Sequence, residues 1–244
     1  MSTASSRAWL RRQATDAYVR DARRAGYRSR SAFKLLEMDE KLDVFRGRVR
    51  TVVDLGAAPG GWTQVAASRV GAGGVVVAVD LLPMEPVHAD GVAVHVLCGD
   101  MASPDTHARV RDALGGAAPQ LVMCDAAPNA TGDAQRDHWL QMRLARTALD
   151  VAVALRAKRF LVKAYAGDED VAFVRSVEAM ARVRRDPAPQ REPQRESQRE
   201  PRVVRVKPAA SRSESREFYV FAELSGSARS DGGGPSTTPT PPPT

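Results

Sequence analysis

The apolar residues of this chain fall into two alternating patterns. Thr51–Leu55, Val75–Asp80, Val92–Leu97, Gln120–Asp125 and Arg159–Ala164 are short, nearly continuous apolar runs rich in β-branched residues. Runs of that kind predict strands, and Thr51–Leu55 reads as a buried one. Trp62–Val70, Pro104–Leu114, Trp139–Leu155 and Glu169–Arg182 repeat apolar residues at intervals of three and four, which predicts helices. Trp139–Leu155 has the densest such pattern and is expected as a long packed helix. Strand and helix alternate, so the fold class is α/β with a mostly parallel sheet. Val203–Lys207 and Glu217–Glu223 are two β-rich runs joined by a Ser/Arg loop. They are expected as a terminal antiparallel pair and bring the sheet to seven strands.

Upstream of the first strand, Thr15–Ala25 and Ser31–Leu42 predict two helices separated by Gly26-Tyr-Arg-Ser-Arg30. Ser29 or Ser31 is the expected N-cap of the second. Leu35, Met38 and Leu42 form one stripe on it, the Phe33, Leu36 and Glu40 positions another, and Lys34 interrupts the apolar run. Two stretches break the rhythm. Residues 186–202 carry Gln-Arg-Glu three times, from Gln190, Gln194 and Gln198, with no apolar residue beyond Ala188. Such a segment buries too little surface to offset the entropy of ordering, so a disordered insert is expected. Residues 225–244 are rich in Gly, Ser, Thr and Pro and read as a disordered tail. The expected organisation is a basic helical arm over 1–48 packed on a core, a single domain over 49–224 holding the insert, and the tail.

Composition adds three constraints. No apolar run approaches the roughly 20 residues of a membrane span, so no membrane partner is expected. The formal charge is +7, and residues 1–50, with 13 Lys or Arg against six Asp or Glu, hold all of it. A basic arm suggests a polyanion partner, the alternatives being a solvated helix face or a targeting segment. Cys98 and Cys124 are the only cysteines. Without a CxxC spacing they argue against a metal site or disulfide framework. Both are expected as buried free thiols in a reducing compartment. Met1 to Arg12 is rich in Ser and Arg and free of acids, which faintly resembles a mitochondrial presequence. With the insert and tail, it favours a mitochondrial location over a cytoplasmic one.

The first strand runs into Asp54-Leu-Gly-Ala-Ala-Pro-Gly-Gly-Trp62. A strand, a glycine-rich turn and a helix make the nucleotide-facing crevice of a doubly wound sheet. Gly56, Gly60 and Gly61 are spaced Gly-x-x-x-Gly-Gly, not Gly-x-Gly-x-x-Gly, which disfavours a pyrophosphate cradle. A nucleoside without phosphates fits better, and S-adenosylmethionine is the candidate cofactor; the alternative is a tight turn with no ligand. Asp80 ends the second strand 24 residues past Gly56, near the spacing at which an acid takes ribose hydroxyls. Asp125 and Lys163 end neighbouring strands at the edge where such sheets bind ligands. A lysine closing an apolar run is expensive unless paired or used, so a structural Lys–Asp pair is the alternative there.

The nonapeptide resembles the cofactor loop of the FtsJ/RrmJ family of RNA ribose 2′-O-methyltransferases, and four further motifs extend the likeness. Arg28-Ser-Arg-Ser-Ala-Phe-Lys34, Asp125-Ala-Ala-Pro-Asn129, Phe160-Leu-Val-Lys163 and Ser215-Arg-Glu217 resemble, in order, the motifs that carry the family's Lys-Asp-Lys-Glu tetrad. The similarity runs from about Arg7 to Ala222 and is interrupted by the insert. It implies a Rossmann-like class I methyltransferase fold with Lys34, Asp125, Lys163 and Glu217 as catalytic residues. It further implies that Gly60 and Trp62 line the methionine end of the cofactor, that Asp80 takes the ribose and Asp100 the adenine edge, and that Asp125 faces the sulfonium. A ribose hydroxyl is a poor nucleophile until a base draws its proton, and Lys163 is the candidate base. An ordinary lysine, near pKa ~10.4, is charged at neutral pH. Lys34 would lower that value and the two acids would raise it.

Asp80-Leu-Leu-Pro-Met84 resembles the ribosomal-RNA branch, so the expected substrate is a uridine of large-subunit rRNA, naked or in the ribosomal subunit, and the expected enzyme is a monomer. A tRNA or mRNA-cap substrate, or a ribosome-assembly factor that has lost catalysis, are the alternatives. Arg11, Arg12, Arg20, Arg23, Arg24, Arg28 and Arg30 are the candidate phosphate contacts. Trp9 and Tyr27 are candidates for base stacking or for core packing.

Overall fold

The structure, a computed structural model, describes residues 16–183, 202–212 and 214–224. Seven strands form one sheet: β1 Thr51–Leu55, β2 Val75–Asp80, β3 Ala93–Cys98, β4 Leu121–Cys124, β5 Arg159–Tyr165, β6 Val203–Val206 and β7 Glu217–Glu223. Their order is β3-β2-β1-β4-β5-β7-β6. The first five pair parallel, and β7 pairs antiparallel with both β5 and β6. The last strand in sequence is therefore inserted beside β5, and β6 takes the edge.

The continuous apolar runs of β1, β2, β4 and β5 follow from two covered faces, whereas β3 at the sheet edge has no buried residue. Val52, Leu121 and Leu161 point into one apolar cluster, and Val53, Val122 and Val162 into the other. The first cluster is closed by helices α2 (Ser31–Leu42) and α3 (Gly61–Val70), with α1 (Ala17–Arg24) resting on α2 through a Tyr18–Phe33 ring contact. Leu35, Met38 and Leu42 are the stripe that α2 buries. The second cluster is closed by α4 (Pro104–Ala113), α5 (Ala134–Ala154) and α6 (Asp170–Val183).

Three local expectations are corrected. Helix α5 starts at Ala134, not Trp139, because the Asp133 side chain accepts the main-chain N–H groups of Gln135 and Arg136. That first turn is exposed and polar, so apolar period alone does not reveal it. Neither serine caps α2: Arg30 holds the cap position without a side-chain bond, and the Ser29 and Ser31 hydroxyls bond each other at 2.7 Å. Cys98 is exposed, and only Cys124 is buried. Residues 186–201 and 225–244, with Trp9, Arg11 and Arg12, lie outside the described residues. Among the described residues no helix is long and apolar enough to cross a membrane, and no His/Cys/Asp/Glu group is arranged to hold a metal.

Asp54 is fully buried in β1, where its Oδ2 accepts the Thr63 hydroxyl at 2.7 Å and its Oδ1 has no hydrogen-bond partner among the described residues. Burial, helped by the Asp125 and Asp80 charges and opposed by the Thr63 bond, pushes its carboxyl from 3.8 up to about 8. The folded protein thus keeps a proton that the unfolded chain releases. Stability from this group is complete at pH values below about 4 and drains away as pH climbs towards 8. Asp54→Asn should remove that loss, with little change at about pH 3.5 and a gain on the order of a few kcal/mol at pH 8.5. Urea midpoints at the two pH values measure it, and an equal effect at both would count against the raised pKa.

Candidate active site

Four ionisable side chains from distant parts of the sequence meet at the carboxyl edge of the sheet. Lys163 lies near the end of β5, Asp125 follows β4, Glu217 opens β7, and Lys34 comes from α2 above them. The antiparallel register sets Tyr219 opposite Lys163 and Glu217 opposite Tyr165. Lys34 Nζ lies 2.6 Å from Glu217 Oε1, and Lys163 Nζ lies 3.2 Å from Asp125 Oδ1. Lys163 also donates to the Asp125 main-chain oxygen at 2.7 Å. The Tyr219 hydroxyl donates to the same Asp125 Oδ1 at 2.7 Å, and its ring centroid is 5.8 Å from Lys34 Nζ. Tyr219 thereby joins the two ion pairs into one cluster of two cations and two anions.

Lys163 is 5% exposed and Glu217 8%. Burial pulls the Lys163 ammonium down, but Asp125 and Glu217 together outweigh it and hold the group above the usual lysine range. The resting lysine is therefore charged. Burial, with the same two carboxylates, pushes the Tyr219 phenol well up, so that hydroxyl remains a donor.

Asp125 also forms part of the wall of a cleft of about 720 Å³. Ligand sites of roughly 300–1,000 Å³ are usual for small molecules. Gly56 sits on its floor with φ +70°, and a Cβ there would come within 2.5 Å of the Ala126 Cβ. The turns after β1 and β4 thus touch, and only glycine fits between them. Asp80 accepts the N–H groups of Ala58 at 2.9 Å and Leu82 at 2.8 Å. Asp100 accepts that of Ala102 at 2.9 Å. Three carboxylates (Asp80, Asp100 and Asp125) share the cleft with one cation, Arg143, and with apolar Leu81, Leu82 and Leu140. With carboxylates outnumbering cations, that chemistry suits a cationic, hydroxyl-bearing nucleoside. Gly60, Gly61 and Trp62 stand behind this wall. The Trp62 indole N–H donates to the Ser31 carbonyl at 2.9 Å, its ring lies 5.7 Å from that of Tyr219, and a Cβ on Gly61 would overlap Ser29 Oγ.

Among the candidate RNA contacts, Arg20, Arg23 and Arg24 are exposed on α1. Arg28 and Arg30 are engaged inside the chain. The Arg28 guanidinium donates to the carbonyls of Glu85 and Pro86, each at 2.5 Å, and to that of Pro59 at 3.3 Å, tying the loop after β2 to the glycine turn. Arg30 pairs with Asp16 and donates to the Ala210 carbonyl. Tyr27 packs edge-on against Phe33.

Sequence reasoning missed two positioning residues. Tyr219 reads as one more core aromatic in β7, although its place two residues after Glu217 puts it on the same face. Gln141 is buried in α5 and donates to the carbonyls of Ala126 and Lys163, each at 3.2 Å, pinning the ends of β4 and β5 together. A polar residue in an apolar helical stripe was the available signal.

A family model described as FtsJ-like methyltransferase matches residues 27–199. A protein of Xanthobacter autotrophicus named Ribosomal RNA large subunit methyltransferase E is 42% identical over 90% of this chain and 79% of its own length. Its namesake in Gluconobacter oxydans is 41% identical over 90% of this chain and 73% of its own. The crystal structure of a Plasmodium falciparum ribosomal RNA methyltransferase superposes with a TM-score of 0.61, covering 81% of this chain and 98% of that one. At 20% identity that likeness shows the shared fold.

The side chains of the Lys34–Glu217 pair are 12% and 10% exposed. Removing one partner of such a pair leaves an uncompensated charge at a cost of roughly 3–5 kcal/mol, whereas apolar replacement of both is far milder. Glu217→Ala should therefore destabilise clearly, and Lys34→Met with Glu217→Leu should recover most of the loss. Denaturant midpoints of the three proteins read this out, and a double variant no better than the single would show that the pair is not coupled.

Proposed function

Since the chain belongs to the FtsJ-like methyltransferase family, matched over residues 27–199, we propose that it transfers a methyl group from S-adenosylmethionine to a ribose 2′-hydroxyl of large-subunit ribosomal RNA, at a uridine. The observation that carries this reading is Asp125, which belongs at once to the ionic cluster and to the cleft wall. The names of the relatives support the ribosomal substrate. Those relatives are bacterial, which supports a bacterial ribosome and cytoplasm, the alternative to the mitochondrion considered above.

The cofactor supplies a methyl group already activated by its sulfonium. The protein's task is alignment and proton removal. Asp80 presents carboxylate lone pairs to ribose hydroxyls while its two backbone bonds fix its orientation. Lys34 and Glu217, locked to each other, border the position of the acceptor hydroxyl and orient it. Lys163 takes the hydroxyl proton. Because the resting ammonium is held above the usual range, its own proton must leave first. Turnover is then limited by the small neutral fraction of Lys163, which grows tenfold per pH unit below its pKa.

Methyl transfer to unmethylated large ribosomal subunits, mapped by mass spectrometry of nucleosides, tests the substrate; methylation of tRNA or capped mRNA alone would reject it. Lys163→Ala should lower the rate by at least about 100-fold and leave the cofactor Kd nearly unchanged. Lys163→Arg, whose side chain stays charged, should be equally inactive. The parental rate constant at saturating substrates should climb with pH from 7 to 9, and a plateau beginning below pH 7 would remove Lys163 from the role of base. Charge reversal of Arg23 and Arg24 to Glu should weaken RNA binding and flatten its salt dependence without altering cofactor affinity.

A further inference from the structure

Helix α5 carries an aromatic residue that the ionic cluster and the cleft do not use. Trp139 is 47% exposed, and it is the exposed aromatic side chain among the described residues. The Arg143 guanidinium stacks 4.7 Å from its ring centroid. Arg136, Trp139 and Arg143 recur at intervals of three and four, so they share one stripe of the helix, and both arginines are exposed. Arg143 and its neighbour Leu140 also belong to the wall of the cleft, which places the stripe at the cleft mouth. The adjoining His138 braces this turn against the segment just beyond Lys163: its Nε2 accepts the Glu169 N–H at 3.4 Å, and a Cβ on Gly167 would come within 2.7 Å of its ring.

The two basic surfaces therefore lie on opposite sides of the reacting edge. Arg20, Arg23 and Arg24 belong to the layer of α1–α3, and Arg136 and Arg143 to the layer of α4–α6. A polyanionic strand that reached both would span the two layers that flank the sheet edge carrying Lys163. A tryptophan with one face backed by a guanidinium offers the other to a planar ring, and base–aromatic stacking is the usual means of holding an unpaired nucleotide.

We propose that Arg136, Trp139 and Arg143 form a second contact for the RNA substrate: an unpaired nucleotide flanking the target stacks on Trp139, and Arg136 takes its phosphate. This rests on the RNA-methyltransferase reading above. It is tested by fluorescence anisotropy of a labelled single-stranded large-subunit rRNA fragment alongside steady-state methyl transfer. Trp139→Ala should raise the RNA Kd and KM about tenfold, leaving kcat, the cofactor Kd and the melting temperature nearly unchanged. Trp139→Phe should keep most of the affinity, and Arg136→Gln should reduce the slope of log affinity against log salt by about one. An active parent whose RNA Kd and KM ignore Trp139→Ala overturns this contact and leaves the functional reading standing. A loss of affinity for assembled subunits but not for the naked fragment also overturns it, because the helix would then meet a ribosomal protein. A parent that neither binds nor methylates rRNA overturns the functional reading and this contact together.

Discussion

One carboxylate oxygen, Oδ1 of Asp125, holds the site together. It receives the Tyr219 hydroxyl and faces the Lys163 ammonium. An ammonium as buried as that of Lys163 is tolerable only beside a fixed anion. Asp125 in turn stands where it does because β4 ends at Cys124 and the chain turns into the cleft. The ionic cluster and the ligand cleft are thus two sides of one residue, and their relative placement is set by covalent geometry.

The sheet supplies the remaining alignment. Because it runs antiparallel between β5 and β6, β7 begins at the carboxyl edge and sets Glu217 and Tyr219 beside Lys163. Helix α2 lowers Lys34 onto the same point because its Leu35–Met38–Leu42 stripe is committed to the core. Gln141 closes the arrangement from the opposite face. The cost of burying these polar groups is met by mutual hydrogen bonding, which favours a rigid site over an adaptable one.

How much of this was legible in the chain depended on range. Strand runs, helix periods and the glycine turn are local patterns, and they were visible. Each tetrad residue lay in a short motif, so its candidacy was visible too. The pairing was not: nothing near Lys34 says that it meets Glu217 rather than opposing Lys163. Arg28 and Arg30 read as part of a basic arm, yet their guanidinium groups satisfy carbonyls that local sequence cannot identify. The burial of Asp54, and hence its retained proton, depends on helix α3 covering β1. The first turn of α5 escaped because capping, not apolar period, creates it.

The antiparallel placement of β6 and β7 has one further result. The strand β6 starts at the amino edge of the sheet, where Arg202 stacks over Phe221 and approaches Glu223, and α6 finishes at that same end. The end of α6 and the start of β6 therefore both lie at the edge remote from the reacting groups. Lengthening the connection between them carries only a slowly growing closure entropy. The fold thus has a junction, between α6 and β6, where added sequence starts and ends away from the chemistry.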